Sequence, residues 1–190
     1  MPMPVDIRET EIGGVLEIVT GIARDDRGYF SETHSSIVWA DAGFDSQFLQ
    51  DNVSQSAKGT LRGLHYQLEP HAMGKLVRVL RGSVFDVGVD LRRGSPTFGK
   101  WVGRILTVEE GTALFFPGGF AHGFVALEDE TLVYYKCTSM HTPEAERAIL
   151  YKDPAIGIEW PLEPTIISER DAAAPLLSAA EHNFLYTPPS

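Results

Sequence analysis

Val84-Phe-Asp-Val-Gly-Val-Asp-Leu91 is the stretch from which the fold can be read. Phe85, Val87, Val89 and Leu91 fall on one face, and Asp86, Gly88 and Asp90 fall on the other. A side-chain period of two belongs to a β-strand, here one lying between two chemically different environments. Arg81-Gly82 just before it reads as a tight turn, which predicts a hairpin over Lys75–Leu91.

On either side, short runs rich in Val, Ile, Phe, Tyr and Thr are punctuated by scattered glycines and prolines. They predict further strands over Gly14–Thr20, Tyr29–Thr33, Gln47–Ser54, Leu61–Gln67, Trp101–Leu106, Ala113–Phe116, Ala121–Ala126 and Thr131–Thr138. Helical signal is sparse. Ser35–Gly43 has a Ser cap and a glycine stop, and Asp171–His182 is a second candidate with Pro175 near its start and Asp171 as a possible N-cap. Thr187–Ser190 is expected to be frayed or extended. No repeat, low-complexity run or linker interrupts the chain, so residues 1–190 read as one all-β domain, a sandwich or barrel with minor helices.

Composition agrees. A chain of 190 residues suits a single domain that removes about 70% of its unfolded surface from water, without needing a staple. A net charge of −10 disfavours nucleic acid and anionic membranes but leaves room for a small anion in a local basic pocket. No apolar run is long enough for a transmembrane helix, and the N-terminus lacks the pattern of a signal peptide. Cys137 is the only cysteine, so no intrachain disulfide forms, and a reducing cytoplasm is the expected compartment.

Two segments resemble the paired motifs of the cupin superfamily, a small jelly-roll barrel. One is Gly63-Leu-His65-Tyr-Gln67, continuing to Lys75 and Gly82; the other runs from Gly111 through Pro117-Gly-Gly119 to His122. A metal cupin carries three histidines and a carboxylate, but here Gln67 holds the second histidine position and Lys75 stands where the glutamate would fall. Two imidazoles beside an ammonium make a poor site for a divalent cation, so no metal and no other cofactor is expected. A His/His/carboxylate set that borrows Asp86 is the remaining metal option, and with it a metal-dependent oxygenase.

At Leu61-Arg-Gly-Leu-His-Tyr-Gln67 the chain resembles the dTDP-4-dehydrorhamnose 3,5-epimerase family, cupin-fold isomerases of nucleotide-linked deoxysugars. The likeness extends through Asp26-Arg-Gly-Tyr-Phe30 with Glu32, Gln50-Asp-Asn52, Gly74-Lys-Leu-Val-Arg78, Ser95-Pro-Thr-Phe-Gly99, Pro117–Phe124, Tyr135-Lys136, Asp153–Pro161 and Ser168-Glu-Arg-Asp171. The resemblance implies that His65 is the general base, that Asp171 orients its imidazole, that Lys75 steadies the enolate oxygen and that Tyr135 returns a proton to the opposite face. It implies that Arg27, Glu32, Gln50, Asn52, Arg62 and His122 hold the nucleotide diphosphate, some of them from the partner in a homodimer.

These residue types suit the chemistry. Epimerisation beside a carbonyl needs a base near neutrality, a cation at the developing oxyanion and an acid on the far side. Of the two adjacent tyrosines, strand alternation puts one inside, and Tyr135 is the one expected there. His34, His71 and His182 carry no motif and are assigned to the surface. In a regular strand Arg62 points away from His65, so it reaches the same cavity only through a bulge near Gly63 or from the rim; otherwise it serves a neighbouring site across a dimer. One departure stands out: Met140 and His141 replace a pair of tyrosines frequent in the family and expected at the substrate mouth. An epimerase acting at C3 alone, and a nucleotide-sugar binder without catalysis, are the alternatives that follow.

Overall fold

The computed structural model describes residues 3–188. The last two residues of the Thr187–Ser190 expectation lie outside this range, while Thr187 and Pro188 are exposed and carry no regular structure.

One six-stranded antiparallel sheet is built from β1 (Val5–Glu9), β2 (Leu16–Thr20), β5 (Gln50–Ser56), β7 (Lys75–Arg81), β10 (Thr112–Phe116) and β12 (Thr131–Cys137). Its spatial order is β1-β2-β10-β7-β12-β5. The facing sheet contains β6 (Thr60–Gln67), β8 (Ser83–Asp90), β9 (Trp101–Thr107), β11 (Phe120–Ala126) and β13 (Glu146–Ala148), in the order β13-β6-β11-β8-β9. A short β14 (Ile166–Ile167) runs parallel to the start of β6. A separate hairpin joins β3 (Ala23–Asp25) and β4 (Gly28–Phe30), and all of its strand residues are exposed. Helix α1 covers Ser36–Asp41 and α2 covers Glu169–Ala172. This is an all-β jelly-roll barrel with a few short helices, as the sequence predicts.

Most expected strands appear within a residue or two of their bounds. β1, β3, β13 and β14 were not anticipated; they are short or polar and carry little apolar period. The expected hairpin over Lys75–Leu91 does not form. β7 already pairs on one edge with β10 and on the other with β12, so β8 has no free edge to join and passes to the facing sheet. Gly82 makes this passage at φ +74°, with Thr131 Oγ1 only 2.4 Å from where a Cβ would sit. The helix expected over Asp171–His182 is also absent. Ser168 caps α2 one turn earlier, by accepting a hydrogen bond from the Asp171 amide, which makes Asp171 an interior residue and not the cap. The helix stops before Pro175, consistent with the bias of pre-proline residues away from the helical region, and only a 3₁₀ turn, Leu177–Ala179, follows.

Three apolar clusters hold the sheets. Between them, Val77, Val79, Leu106, Leu114, Phe116 and Phe124 fill the barrel. Outside the first sheet, α1 seats Trp39 against Phe44, which in turn packs on Phe115. Outside the second, the C-terminal segment lays Ile156, Trp160 and Phe184 over Leu64, Tyr66 and Leu91. Full burial of a side chain of this size stabilises by roughly 1.5–3 kcal/mol. β8 therefore has two dry faces. Phe85 meets Trp101 and Trp160 on the outer face, while Asp86 points inward and Gly88 leaves room for the Phe116 ring. Among the described residues no helix is long and apolar enough to cross a membrane.

Candidate active site

A cavity of about 740 Å³ opens inside the barrel beside this core; Phe124 and Tyr135 belong to both. β6 supplies its first functional wall. The pairing of β6 with β11 joins His65 to His122 and Arg62 to Phe124, so the register shifts between them. The shift is a β-bulge at Gly63, where φ is +129° and a Cβ would stand 2.5 Å from the Gly123 Cα. The bulge turns Arg62 to the same side as His65, and both line the cavity. This is the first of the geometries that the sequence left open for Arg62.

His65 Nε2 lies 2.7 Å from Asp171 Oδ1. The second Asp171 oxygen accepts the Gly63 amide at 3.3 Å, so the bulge also orients the carboxylate. Burial alone would raise the Asp171 pKa, but the bonds and charge of His65, with Gly63 and Ser168, hold it below the usual carboxylate range. Across the cavity, β7 and β12 bring Lys75 and Cys137 together as cross-strand partners, with Tyr135 two residues before Cys137 and also facing in. Lys75 makes no hydrogen bond or ion pair among the described residues, and desolvation lowers its ammonium pKa. Tyr135 shares a 3.0 Å hydrogen bond with Ser54, and burial pushes its phenol well above the ordinary value. Its neighbour Tyr134 faces away and donates to Asp51, so the alternation between the two tyrosines holds.

His122 and Asp86 form a second pair, Nε2 to Oδ1 at 2.7 Å. Its depth was not foreseen from the sequence, although Asp86 lay on the polar face of the deciding strand. Burial lowers the His122 pKa and raises that of Asp86. Among the described residues no group of three or more His, Cys, Asp or Glu side chains is arranged to hold a metal ion. Gln67 is buried and tied to the backbone of His71, Met140 and Thr142.

Gln50 and Asn52 line the mouth and bond each other at 3.0 Å, and Gln50 also accepts the His141 amide. Of the two departures noted in the sequence, His141 lines the cavity, whereas Met140 is exposed outside it. Glu146 joins the mouth unannounced, held by Arg170 at 2.8 Å and His141 at 3.3 Å. No simple spacing signalled that cluster. Arg27 and Glu32 do not reach the cavity of their own chain; Arg27 is exposed on the β3–β4 hairpin and pairs with Asp25. His71 is exposed as expected, but His34 is half-buried against Trp39 and Phe48, and His182 is half-buried beside Phe98.

A jelly roll with acid–base side chains converging inside the barrel belongs to the cupin-like class. Residues 9–179 match the model of one family within it, dTDP-4-dehydrorhamnose 3,5-epimerase. A dTDP-4-dehydrorhamnose 3,5-epimerase of Methanothermobacter thermautotrophicus is 49% identical over 166 residues, covering 86% of this chain and 89% of the relative. The crystal structure of dTDP-6-deoxy-D-glucose-3,5-epimerase from Legionella pneumophila, in complex with dTDP-4-keto-L-rhamnose, superposes with a TM-score of 0.88 at 46% identity, covering 93% of this chain and 94% of that one. A 3'-monoepimerase from Streptomyces bikiniensis in complex with dTDP-quinovose gives 0.84 at 35% identity, over 89% and 86% of the two chains. The chain belongs to the dTDP-4-dehydrorhamnose 3,5-epimerase family and is an isomerase of that class.

Proposed function

We propose that the chain inverts C3 and C5 of a dTDP-linked 4-keto-6-deoxyhexose, with His65 as base, Asp171 as its orienting carboxylate, Lys75 at the enolate oxygen and Tyr135 as the returning acid. The observation that carries the reading is the His65–Asp171 pair facing an unpartnered amine and a buried phenol across one cavity. With one imidazole nitrogen engaged by Asp171, the other is left to take the proton from carbon. The electron pair moves to the keto oxygen, where the Lys75 ammonium meets it. Tyr135 gives its hydroxyl proton to the opposite face and is reprotonated from solvent. Its raised pKa keeps that proton in place at neutral pH. Both proton transfers and the oxyanion contact are needed, because positioned acid–base groups typically supply about 10²–10⁴-fold and an oxyanion donor another 10²–10³-fold or so.

Gln50, Asn52, Arg62 and His122 are the residues of this chain available to the nucleotide diphosphate. Arg27 and Glu32 are assigned to the site of a second copy in a homodimer. Support comes from the β3–β4 hairpin, which carries Arg27 and leaves Tyr29 and Phe30 largely exposed, with Tyr29 covered only by the Arg24 guanidinium across the hairpin.

Proton NMR of dTDP-4-keto-6-deoxyglucose with the protein in D₂O tests the reading. Deuterium at both carbons with an inverted product is expected. Exchange confined to C3 would replace it with the single-centre reading, to which the His141 departure at the cavity mouth and the likeness to a 3'-monoepimerase point. Tight dTDP binding without exchange would leave only a binding module.

A further inference from the structure

The proposed mechanism uses one histidine–carboxylate pair as a base and leaves the other, His122–Asp86, as a mere contact. Its geometry is unusual for that. The two side chains are 5% and 0% exposed, yet Asp86 offers a second oxygen, Oδ2, that is buried and has no hydrogen-bond partner among the described residues. An orphaned buried oxygen of this kind calls for an explanation. No donor reaches Oδ2, so its lone pair stays unsatisfied whether or not the imidazole carries an additional proton. Local hydrogen bonding therefore does not fix how many protons the pair carries, and the charge of its surroundings decides.

The titratable groups around His122 come from every neighbouring element. They are His65 on β6, Lys75 on β7, Asp86 on β8 and Tyr135 on β12, with Arg62, Glu146, Arg170 and Asp171 also on the cavity wall. Glu146 is already paired with Arg170, Asp171 is committed to His65 and the Gly63 amide, and the Cys137 thiol is kept neutral by burial, which leaves Asp86 as the counter-charge for the Lys75 ammonium. In the empty cavity, one carboxylate against one ammonium is balanced with a neutral imidazole, and a further cation in that dry space is costly. An entering diphosphate reverses the balance, because the same additional cation is then attracted.

We infer that the His122–Asp86 pair is a proton reservoir that takes up a proton when an anionic ligand enters the cavity, so that His122 becomes a charged donor only in the occupied site and Asp86 is its positioning residue. The inference rests on the nucleotide-sugar reading above and adds a charge state to it. Nε2 is committed to Asp86, so the proton arrives at the other ring nitrogen and comes from solvent; no bond within the ligand changes.

The test is calorimetric titration with dTDP at pH 8, in buffers of differing ionisation enthalpy. The terminal phosphate is already fully ionised at that pH, so proton uptake reports the protein. Wild-type protein is expected to take up about one proton per dTDP from this pair. Asp86→Asn is expected to lose most of that uptake, while Asp171→Asn, which leaves the His122–Asp86 hydrogen bond in place, retains it. Thermal unfolding checks that the variant folds; if Asp86→Asn does not, His122→Gln is titrated instead and carries the same expectation. Binding without uptake in the wild type, or equal uptake in wild type and Asp86→Asn, overturns the inference alone. Failure of wild-type protein to bind dTDP would sink the nucleotide-sugar reading and the inference with it.

Discussion

The barrel carries two histidine–carboxylate pairs of equal length, 2.7 Å each, in opposite settings. His65 is 26% exposed at the cavity surface and Asp171 is 5% exposed behind it. His122 and Asp86 are almost completely enclosed. The Asp171 carboxylate is fully supported, taking the imidazole on one oxygen and the Gly63 amide on the other, whereas Asp86 has one oxygen unsatisfied. The same two residue types thus give a pair with a fully supported carboxylate beside solvent and an enclosed pair with one oxygen unsatisfied. Distance alone distinguishes nothing; the number of donors to the carboxylate and access to water decide what each pair can do.

Substitutions that separate the two pairs test this contrast most directly. The largest expected effect is on the open pair. His65→Ala should lower solvent-deuterium incorporation into the sugar by at least about 10²-fold, with a modest loss of stability because the Gly63 amide still supports Asp171. Full exchange in that variant would remove His65 as the base. In the same assay Tyr135→Phe should keep exchange but lose inversion, and normal inversion would point to a different acid.

The buried pair should register in stability instead. His122→Ala removes the one hydrogen bond made to the buried Asp86 carboxylate and should cost about 1–3 kcal/mol in denaturant unfolding. Asp171→Ala leaves an imidazole that water can reach and should cost clearly less. Equal losses would erase the distinction drawn here.

A smaller and slower signature lies in the pH dependence. His122 has a folded pKa below its unfolded value, so only the unfolded chain gains a proton there as pH falls through about 6.5, and stability drops in that range. His122→Gln should flatten that slope. Asp171, with its folded pKa depressed, contributes stability above its unfolded value that is lost as pH falls through the lower folded one. Asp86 has the opposite sign: its raised folded pKa means that acidification between the unfolded and folded values favours the native state. The smallest effect belongs to the mouth. His141→Ala removes a half-exposed partner of Glu146 and should change stability by no more than about 0.5 kcal/mol, visible by denaturant unfolding only as a null result.

Much of the site was legible in the chain. Strand alternation separated Tyr135 from Tyr134 and put Asp86 opposite Phe85. The ordered likeness to one family named His65, Lys75, Asp171, Arg62, Gln50, Asn52 and His122, and all of them line or support the one cavity, Asp171 and His65 as a bonded pair. Arg27 and Glu32 are the exceptions within a single chain, and the Glu146–Arg170 cluster went unseen because its members are 24 residues apart and follow no local period.

What the sequence determined by itself was the all-β class and the face of each well-patterned strand, because a side chain's face follows from a period of two; the likeness to one family, not the period, singled out the histidine, tyrosine and lysine of the cavity. The sequence could not choose partners. Tertiary structure alone sent β8 to the facing sheet, bulged β6 at Gly63 so that Arg62 turned inward, and matched each imidazole with its carboxylate across 106 and 36 residues of chain. The physical reason is that strand pairing and burial are settled by which edges and surfaces remain free once the rest of the barrel has closed, a competition among distant segments that no local pattern records.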